Sequence, residues 1–405
     1  MKSLSTLFGK AYGGISRPVW WLSLTLLINR SGTMVIFFMS VYLSQELHFN
    51  LQRVGVVMAM FGAGSLLGVF VGGRLIDRIG YYPVMLWSLV SGGILFLIVG
   101  QLHDYLLLCI GVFVLSAFGE AFRPANMAAV SYYSTAATYT RSISLNRLAI
   151  NLGFSIGPAI GGFLAAHNYK LIFWVDGFTC LAAAAMVLLF LENKHDRTIP
   201  QSKADTAKPG SSPYADRIYL LFLPLAVLFA IAFFQFFSVM PLYYKQVQHL
   251  SEKYIGALMA LNGLLVAGIE MILIYKIEKR WSLYNFIALG AFLLIISYLA
   301  LFLANGFWWL ALVTVVISFS EMFAMPFMNT FMNSRSEANK GQYASLYVMA
   351  WSAAQILTPI ISTQIIAHSG YRTLWVVLAF FALLVVAGIK MLEKFSKNEA
   401  AVPVK

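Results

Sequence analysis

The residues in this sequence best placed to do chemistry are a few ionisable side chains set inside long apolar runs. They are Arg30 beside Asn29, Glu120 with Arg123, Arg147, Asp176, Glu270 and Glu321. A spacing of three puts Glu120 and Arg123 on one helical face, where they can pair. A carboxyl in apolar surroundings has its charged form disfavoured. It can therefore take up a proton on one side of a barrier and release it on the other, unless a nearby arginine stabilises the carboxylate. Glu321 has no basic neighbour at helical spacing in its own run and is expected to be the main proton carrier. Glu120 is the second candidate, or an ionised structural partner of Arg123. Arg30 is expected to pair with Glu120 or to hold an anionic substrate group. Asp176 is a further relay candidate that otherwise caps or pairs locally, and Glu270 is expected to reach back towards the nearer surface. No His, Cys, Asp and Glu cluster has metal-ligand spacing, and no phosphate-binding loop appears. Neither a metal nor a cofactor is expected, and the chain is not read as an enzyme.

The elements that must position these groups follow from composition. Of the 405 residues, 60% are apolar and 11% charged, against roughly 45–50% and about 25% in soluble domains. That balance excludes an ordinary soluble enzyme, a disordered chain and a disulfide-stapled secreted module, and leaves a polytopic membrane protein. A helix needs about 20 mostly apolar residues to cross a bilayer. Twelve such spans are expected, at 18–43, 52–74, 82–101, 104–130, 141–166, 169–191, 217–243, 253–275, 282–304, 306–332, 341–367 and 371–392. The alternating pattern of a β-barrel is absent. The first run is too long for a signal-peptide core and is read as an uncleaved span. Cys109 and Cys180 both fall inside spans, so no disulfide framework is expected.

Lys and Arg total 28 against 16 acids, a net charge of +12. With the N-terminus placed in the cytoplasm, twenty basic residues fall on cytoplasmic segments. Arg53, Lys170, Lys245, Lys253 and Arg372 fall outside, and Arg30, Arg123 and Arg147 lie within spans. The excess is thus a positive-inside signal rather than a nucleic-acid-binding surface, and both termini are expected in the cytoplasm. The one long polar stretch, 193–216, reads as a flexible cytoplasmic linker. The chain divides into an N-terminal six-helix half (1–192), this linker, a C-terminal six-helix half (217–394) and a cytoplasmic tail (395–405).

The two halves resemble each other. Adding 201 takes Tyr42 to Tyr243, Gly55 to Gly256, Glu120 to Glu321, Pro158 to Pro359, His167 to His368 and Trp174 to Trp375. Each half has an even number of spans, so both enter from the same side. This is a parallel repeat about an axis along the membrane normal, and a substrate site is expected between the halves.

Gly73-Arg74-Leu75-Ile76-Asp77-Arg78-Ile79-Gly80, between spans 2 and 3, resembles the loop signature of the major facilitator superfamily. Tyr81 and Tyr82 stand where the signature continues with basic residues. In span 5, Gly153-x3-Gly157-Pro158-x2-Gly161-Gly162 resembles the antiporter motif of that superfamily's drug/proton exporters. Gly119-Glu120-x2-Arg123-Pro124 and Ser320-Glu321-x4-Pro326 resemble the acid-then-proline segments of some multidrug efflux members. The resemblance covers essentially the whole chain. It implies that Asp77, with Arg78 and the turn at Gly80, locks a cytoplasmic gate. It implies that the span 5 glycines seal one side and favour exchange over leak. Finally, it implies that the first and fourth spans of each half line a central cavity. Arg30, Glu120, Arg123 and Glu321 would converge there, with Asn29, Asn126, Gln235 and Asn329 as polar lining. Of Phe233, Phe234, Phe236, Phe237 and Met240 around Gln235, most are expected to face lipid or neighbouring helices and a minority the cavity, where they would favour amphipathic cargo.

The expectation is a proton-coupled secondary transporter working by alternating access, most plainly an exporter of drugs or amphipathic metabolites by proton antiport. A proton-coupled uptake symporter for a peptide-like or anionic metabolite is the alternative, since two arginines suit carboxylates. A receptor or scaffold that moves nothing is the remote third. The expected partners are a small-molecule substrate, protons and the lipid bilayer, for a monomer in a bacterial inner membrane that draws on the proton gradient.

Overall fold

In the computed structural model the described residues are 14–135, 138–191, 212–277, 280–303, 306–335 and 340–401. Most of the segment read as a linker lies outside them, as does 402–405. The described residues are helices joined by short turns, with no strand among them. In lipid a backbone must satisfy its own hydrogen bonds, which a helix does within one segment. Eleven helical stretches are long and apolar enough to cross a membrane. The last carries two spans, because Lys340–Ala401 bends at Gly370 (φ 78°, ψ 175°), between the expected spans 11 and 12. That backbone conformation costs glycine little and other residues more. Twelve spans result. Large apolar side chains remain on the outside, among them Trp87, Leu106, Leu189 and Phe380, each more than half exposed. Such a surface suits lipid.

Most expected limits hold to within a few residues; the helix of span 2 runs on to Ile79 and that of span 12 to Ala401, and three spans are interrupted. Span 1 is Arg17–Ser31 followed by Met34–Gln45; span 4 is Tyr105–Gly119 followed by Phe122–Tyr133; span 7 is Arg217–Ser238 followed by Met240–Gln246. Pro124 accounts for the interruption in span 4. It lacks the N–H that would bond the Glu120 carbonyl, which accepts instead from the Arg123 N–H at 3.2 Å.

The chain forms two compact units. One comprises Met1–Tyr42, Met60–Ile199 and Ile255–Leu264, and the other Leu43–Ala59, Pro200–Tyr254 and Leu265–Lys405. In the first unit, Leu22, Leu26, Met85, Leu89, Phe122 and Val187 are core residues drawn from spans 1, 3, 4 and 6. Glycines set how closely helices approach there. Gly64, Gly68 and Gly72 of span 2 lie against Phe113, Ala117 and Ala121 of span 4. In the second unit, Asp216 caps span 7 by accepting from the Tyr219 N–H at 3.0 Å. It also accepts from Arg335 Nε and Nη2 at 2.8 and 2.7 Å and from the Tyr343 hydroxyl at 3.0 Å. Burial works against the Asp216 charge, but Arg335, the Tyr219 N–H and the Tyr343 hydroxyl outweigh it and hold the carboxyl below its usual range.

Several features recur 201 residues apart. His48 and His249 both have φ 52°. The Phe49 N–H donates to the Leu43 carbonyl and the Leu250 N–H to the Tyr244 carbonyl. His167 and His368 each lie 2.9 Å, through Nδ1, from the carbonyl four residues back. A Cβ on Gly55 would meet the Pro359 carbonyl in the second unit, and one on Gly256 the Pro158 carbonyl in the first.

Candidate functional site: ion pairs where two spans break

The first unit gathers three of the expected charges at the interruptions of spans 1 and 4. Glu120 follows Gly119, at the gap in span 4. Its Oε1 lies 3.4 Å from Arg30 Nη1 and its Oε2 3.4 Å from Arg123 Nη1. The two arginines are in different surroundings: the Arg30 side chain is 8% exposed and that of Arg123 61%. Arg30 also stands 6.0 Å from the Phe154 ring centroid. Each charge sits where the helix dipole favours it. Arg30 is in the last turn of its segment, where backbone carbonyls are unpaired. Glu120 precedes the first turn of Phe122–Tyr133, where N–H groups are unpaired.

Asp176 of span 6 completes the arrangement. It is fully buried, and its oxygens accept from the Met34 and Val35 N–H groups at 3.1 and 2.8 Å. It therefore caps the restarted half of span 1, the local role foreseen as the alternative to a relay. Asn29 donates to Cys180 Sγ at 3.4 Å one turn along span 6. Gly32 permits the approach, since a Cβ there would collide with Thr179.

The glycine motif of span 5 lies against this break. A Cβ on Gly153 would come within 2.5 Å of Arg30 Cβ, one on Gly157 within 3.1 Å of the Ser31 carbonyl oxygen, and one on Gly161 within 2.9 Å of Met34 Cβ. On the other side of the same helix, Pro158 and Gly162 receive Gly256, and Ser155 receives Gly263. The Ser155 hydroxyl donates to the Ala260 carbonyl at 3.2 Å. The stripe thus seats the interrupted part of span 1 and a second helix at once.

The remaining expected residues lie elsewhere. Asn126 is buried and belongs to a closed network: its amide donates to the Leu22 carbonyl, its oxygen accepts from Asn146, and Asn146 accepts from Ser23. Gln235 is fully buried in the second unit, exchanging hydrogen bonds with Ser362 at 2.7 and 2.9 Å. Asn329 is exposed near the end of span 10. Glu321 is half-buried in an unbroken helix, Gly306–Ser334. Arg147 is exposed and Glu270 buried. Asp77 and Arg78 are exposed at the end of span 2, ahead of the turn at Gly80 (φ 86°). Among the described residues no group of His, Cys, Asp and Glu could hold a metal ion. The interruptions of spans 1 and 4, and the second glycine stripe of span 2, were not anticipated. Pro124 four residues after Glu120, and the Gly-x3-Gly-x3-Gly spacing at 64–72, were the available signals.

Residues 22–352 match the sequence model of the Major Facilitator Superfamily. The chain belongs to that superfamily. It is a transporter rather than an enzyme. Among relatives, a Na⁺, Li⁺, K⁺/H⁺ antiporter of Planococcus maritimus is 22% identical over 397 residues, covering 88% of this chain and 91% of the relative. Multidrug resistance protein 1 of Bacillus subtilis is 25% identical over 321 residues, covering 78% and 81%. Among solved structures, the nucleoside transporter NupG superimposes with a TM-score of 0.78 at 12% identity, over 93% of this chain and all of that one. That likeness establishes the shared fold.

Proposed function

We propose that this transporter is a proton-driven exporter of amphipathic small molecules that works by alternating access. The observation that carries the reading is the commitment of Glu120 to two arginines. A carboxylate between two guanidinium groups is stabilised in its charged form. Glu120 therefore holds the joint between spans 1 and 4 as an ion cluster and does not exchange protons easily. Glu321, 201 residues on, is half-buried in an unbroken helix. An acid in partly apolar surroundings has its charged form disfavoured and is suited to load and release a proton, so the coupling proton is assigned to Glu321. The antiporter and the multidrug resistance protein among the relatives support exchange and export.

The test is transport of a fluorescent amphipathic cation in reconstituted vesicles under an imposed pH gradient. Wild-type protein is expected to move the dye against the proton flow. Glu321→Gln is expected to lose the dependence on the gradient while still exchanging dye. Wild-type transport indifferent to the gradient would sink proton coupling, and dye moving with the proton flow would reverse the direction. Intact coupling in Glu321→Gln would take the proton away from that residue.

A further inference from the structure

We propose that Tyr81 is a positioning residue that carries the state of the Glu120 ion cluster to the loop between spans 2 and 3. The inference concerns the first unit alone and holds whichever acid carries the coupling proton. Tyr81 stands where the loop signature continues with a basic residue. Instead of a charge it offers a ring, 5% exposed, and that ring packs on the end of span 4. Its centroid lies 5.5 Å from that of Tyr132 and 6.2 Å from that of Tyr133. Those two rings meet edge-on, 5.0 Å apart at 87°. Aromatic pairs in such arrangements hold together beyond what their buried area alone gives. The Ser16 hydroxyl, at the head of span 1, donates to the Tyr133 carbonyl at 2.9 Å.

The helix Phe122–Tyr133 is the link. It starts just after the interruption that holds Glu120 and ends at the two tyrosines. Its 12 residues make it about 18 Å long. Its buried face, at Phe122, Ala125, Ala129 and Val130, shares one core with Ile76 and Tyr81, which flank the loop on either side. Beside the interruption, a Cβ on Gly72 would come within 2.9 Å of Ala121 Cβ. Span 2 thus meets span 4 where this helix starts, and span 3 meets it where the helix ends. A rigid helix carries a change of angle from one end to the other. A shift at the Glu120 joint is therefore felt at Tyr81, and through it at Asp77 and Arg78, both exposed. Arg123 is the exposed partner of Glu120, so a ligand carboxylate that competes for it loosens the joint.

The second unit has neither part of this link. The positions 201 residues on from Tyr81, Tyr132 and Tyr133 are Ser282, Asn333 and Ser334, and none carries a ring. Ser282 instead donates to Glu393 of span 12 at 3.2 Å. Span 10 there is continuous. The tyrosine contact thus occurs in the unit whose fourth span is broken and is replaced where that span is whole.

The experiment measures how fast a water-soluble maleimide labels an Arg78→Cys reporter in purified full-length protein. Cys109 and Cys180 are buried, so the exposed thiol dominates the signal. The cluster is disturbed by Glu120→Gln or, more mildly, by Arg123→Gln at an exposed side chain. Each is expected to change the labelling rate at least about 3-fold, within the range of coupling between linked sites. The change is expected to vanish in a Tyr81→Ala background and to survive in Tyr81→Phe, which keeps the ring. A His167→Cys reporter, at the other end of span 5, is expected to label at an unaltered rate throughout. Three results would overturn the proposal: a rate at position 78 indifferent to both cluster variants, a change that persists in Tyr81→Ala, or equal changes at the two reporters. The last would mean general loosening of the unit. Melting curves identify any variant that does not fold, and Arg123→Gln keeps the test open if Glu120→Gln is lost.

Discussion

Glu120 and Glu321 lie 201 residues apart, the offset at which several other features recur, yet the chain treats them differently. Span 4 breaks at Glu120, where Pro124 withdraws a backbone donor and two arginines close on the carboxylate. Span 10 runs unbroken through Glu321 from Gly306 to Ser334. Its Pro326 lies five residues on rather than four, so the carbonyl it frees belongs to Met322 and not to the acid. A one-residue shift of proline thus separates an acid built into a helix joint from an acid carried on a continuous helix. The same acid-and-proline pair yields a helix joint in one span and a continuous helix in the other.

The largest expected effect tests the fixed member. Glu120→Ala leaves Arg30 buried without its carboxylate, a loss of about 3–5 kcal/mol, which should appear as a clear drop in melting temperature. Replacing both as Arg30→Met with Glu120→Leu should recover most of it, because the desolvation cost goes with the pair. Glu321→Gln should shift stability by no more than about 1 kcal/mol. Equal destabilisation by Glu120→Ala and Glu321→Gln would erase the contrast.

A second, smaller effect concerns the glycines that seat the break. Gly153→Val drives side-chain atoms into Arg30 and should cost about 1–3 kcal/mol. Gly268 has open space around its missing Cβ, so Gly268→Ala should be neutral or gain about 0.5–1 kcal/mol. Thermal melts of the two variants side by side decide whether the stripe acts through close approach. If Gly153→Val melts like wild type, it does not.

The smallest effect separates the corresponding corners of the two units. In the second, Asp216 is clamped by Arg335 and Tyr343. In the first, the Ser16 hydroxyl donates to the Tyr133 carbonyl, and Ser134 bonds Ser142, groups that do not titrate in this range. The Asp216 carboxyl is held below its unfolded value. Its stabilisation is therefore present above the unfolded carboxylate pKa of about 3.9 and is lost as pH falls through the lower folded value. Asp216→Asn should melt below wild type at neutral pH, by the equivalent of about 1 kcal/mol for a partly exposed pair. The gap should close in acid. A gap that does not change with pH would remove the ion pair as its cause.

Much of this architecture could be read in the sequence, because a bilayer demands long apolar helices and tolerates little else. Most spans fell within a few residues of their expected limits, and Arg123 was placed with Glu120 by a spacing of three. Arg30 was harder to place: its approach to Glu120 spans 90 residues and depends on how spans 1, 4 and 5 pack. Asp176 capping Met34 and Val35 needed the break in span 1 to be known first. Asn126 and Gln235, polar inside a span, read as cavity lining, yet each is held in a closed network of buried partners. Residue type gives the cost of burying a polar group, but only packing shows how that cost is met.

The bend at Gly370 has a consequence for how the chain enters the membrane. Spans 11 and 12 are joined by one non-helical residue, so there is almost no hydrophilic loop between them to be carried through the bilayer. The pair can partition as a single helical hairpin. Two spans can then enter the bilayer together, with a single glycine as the turn between them.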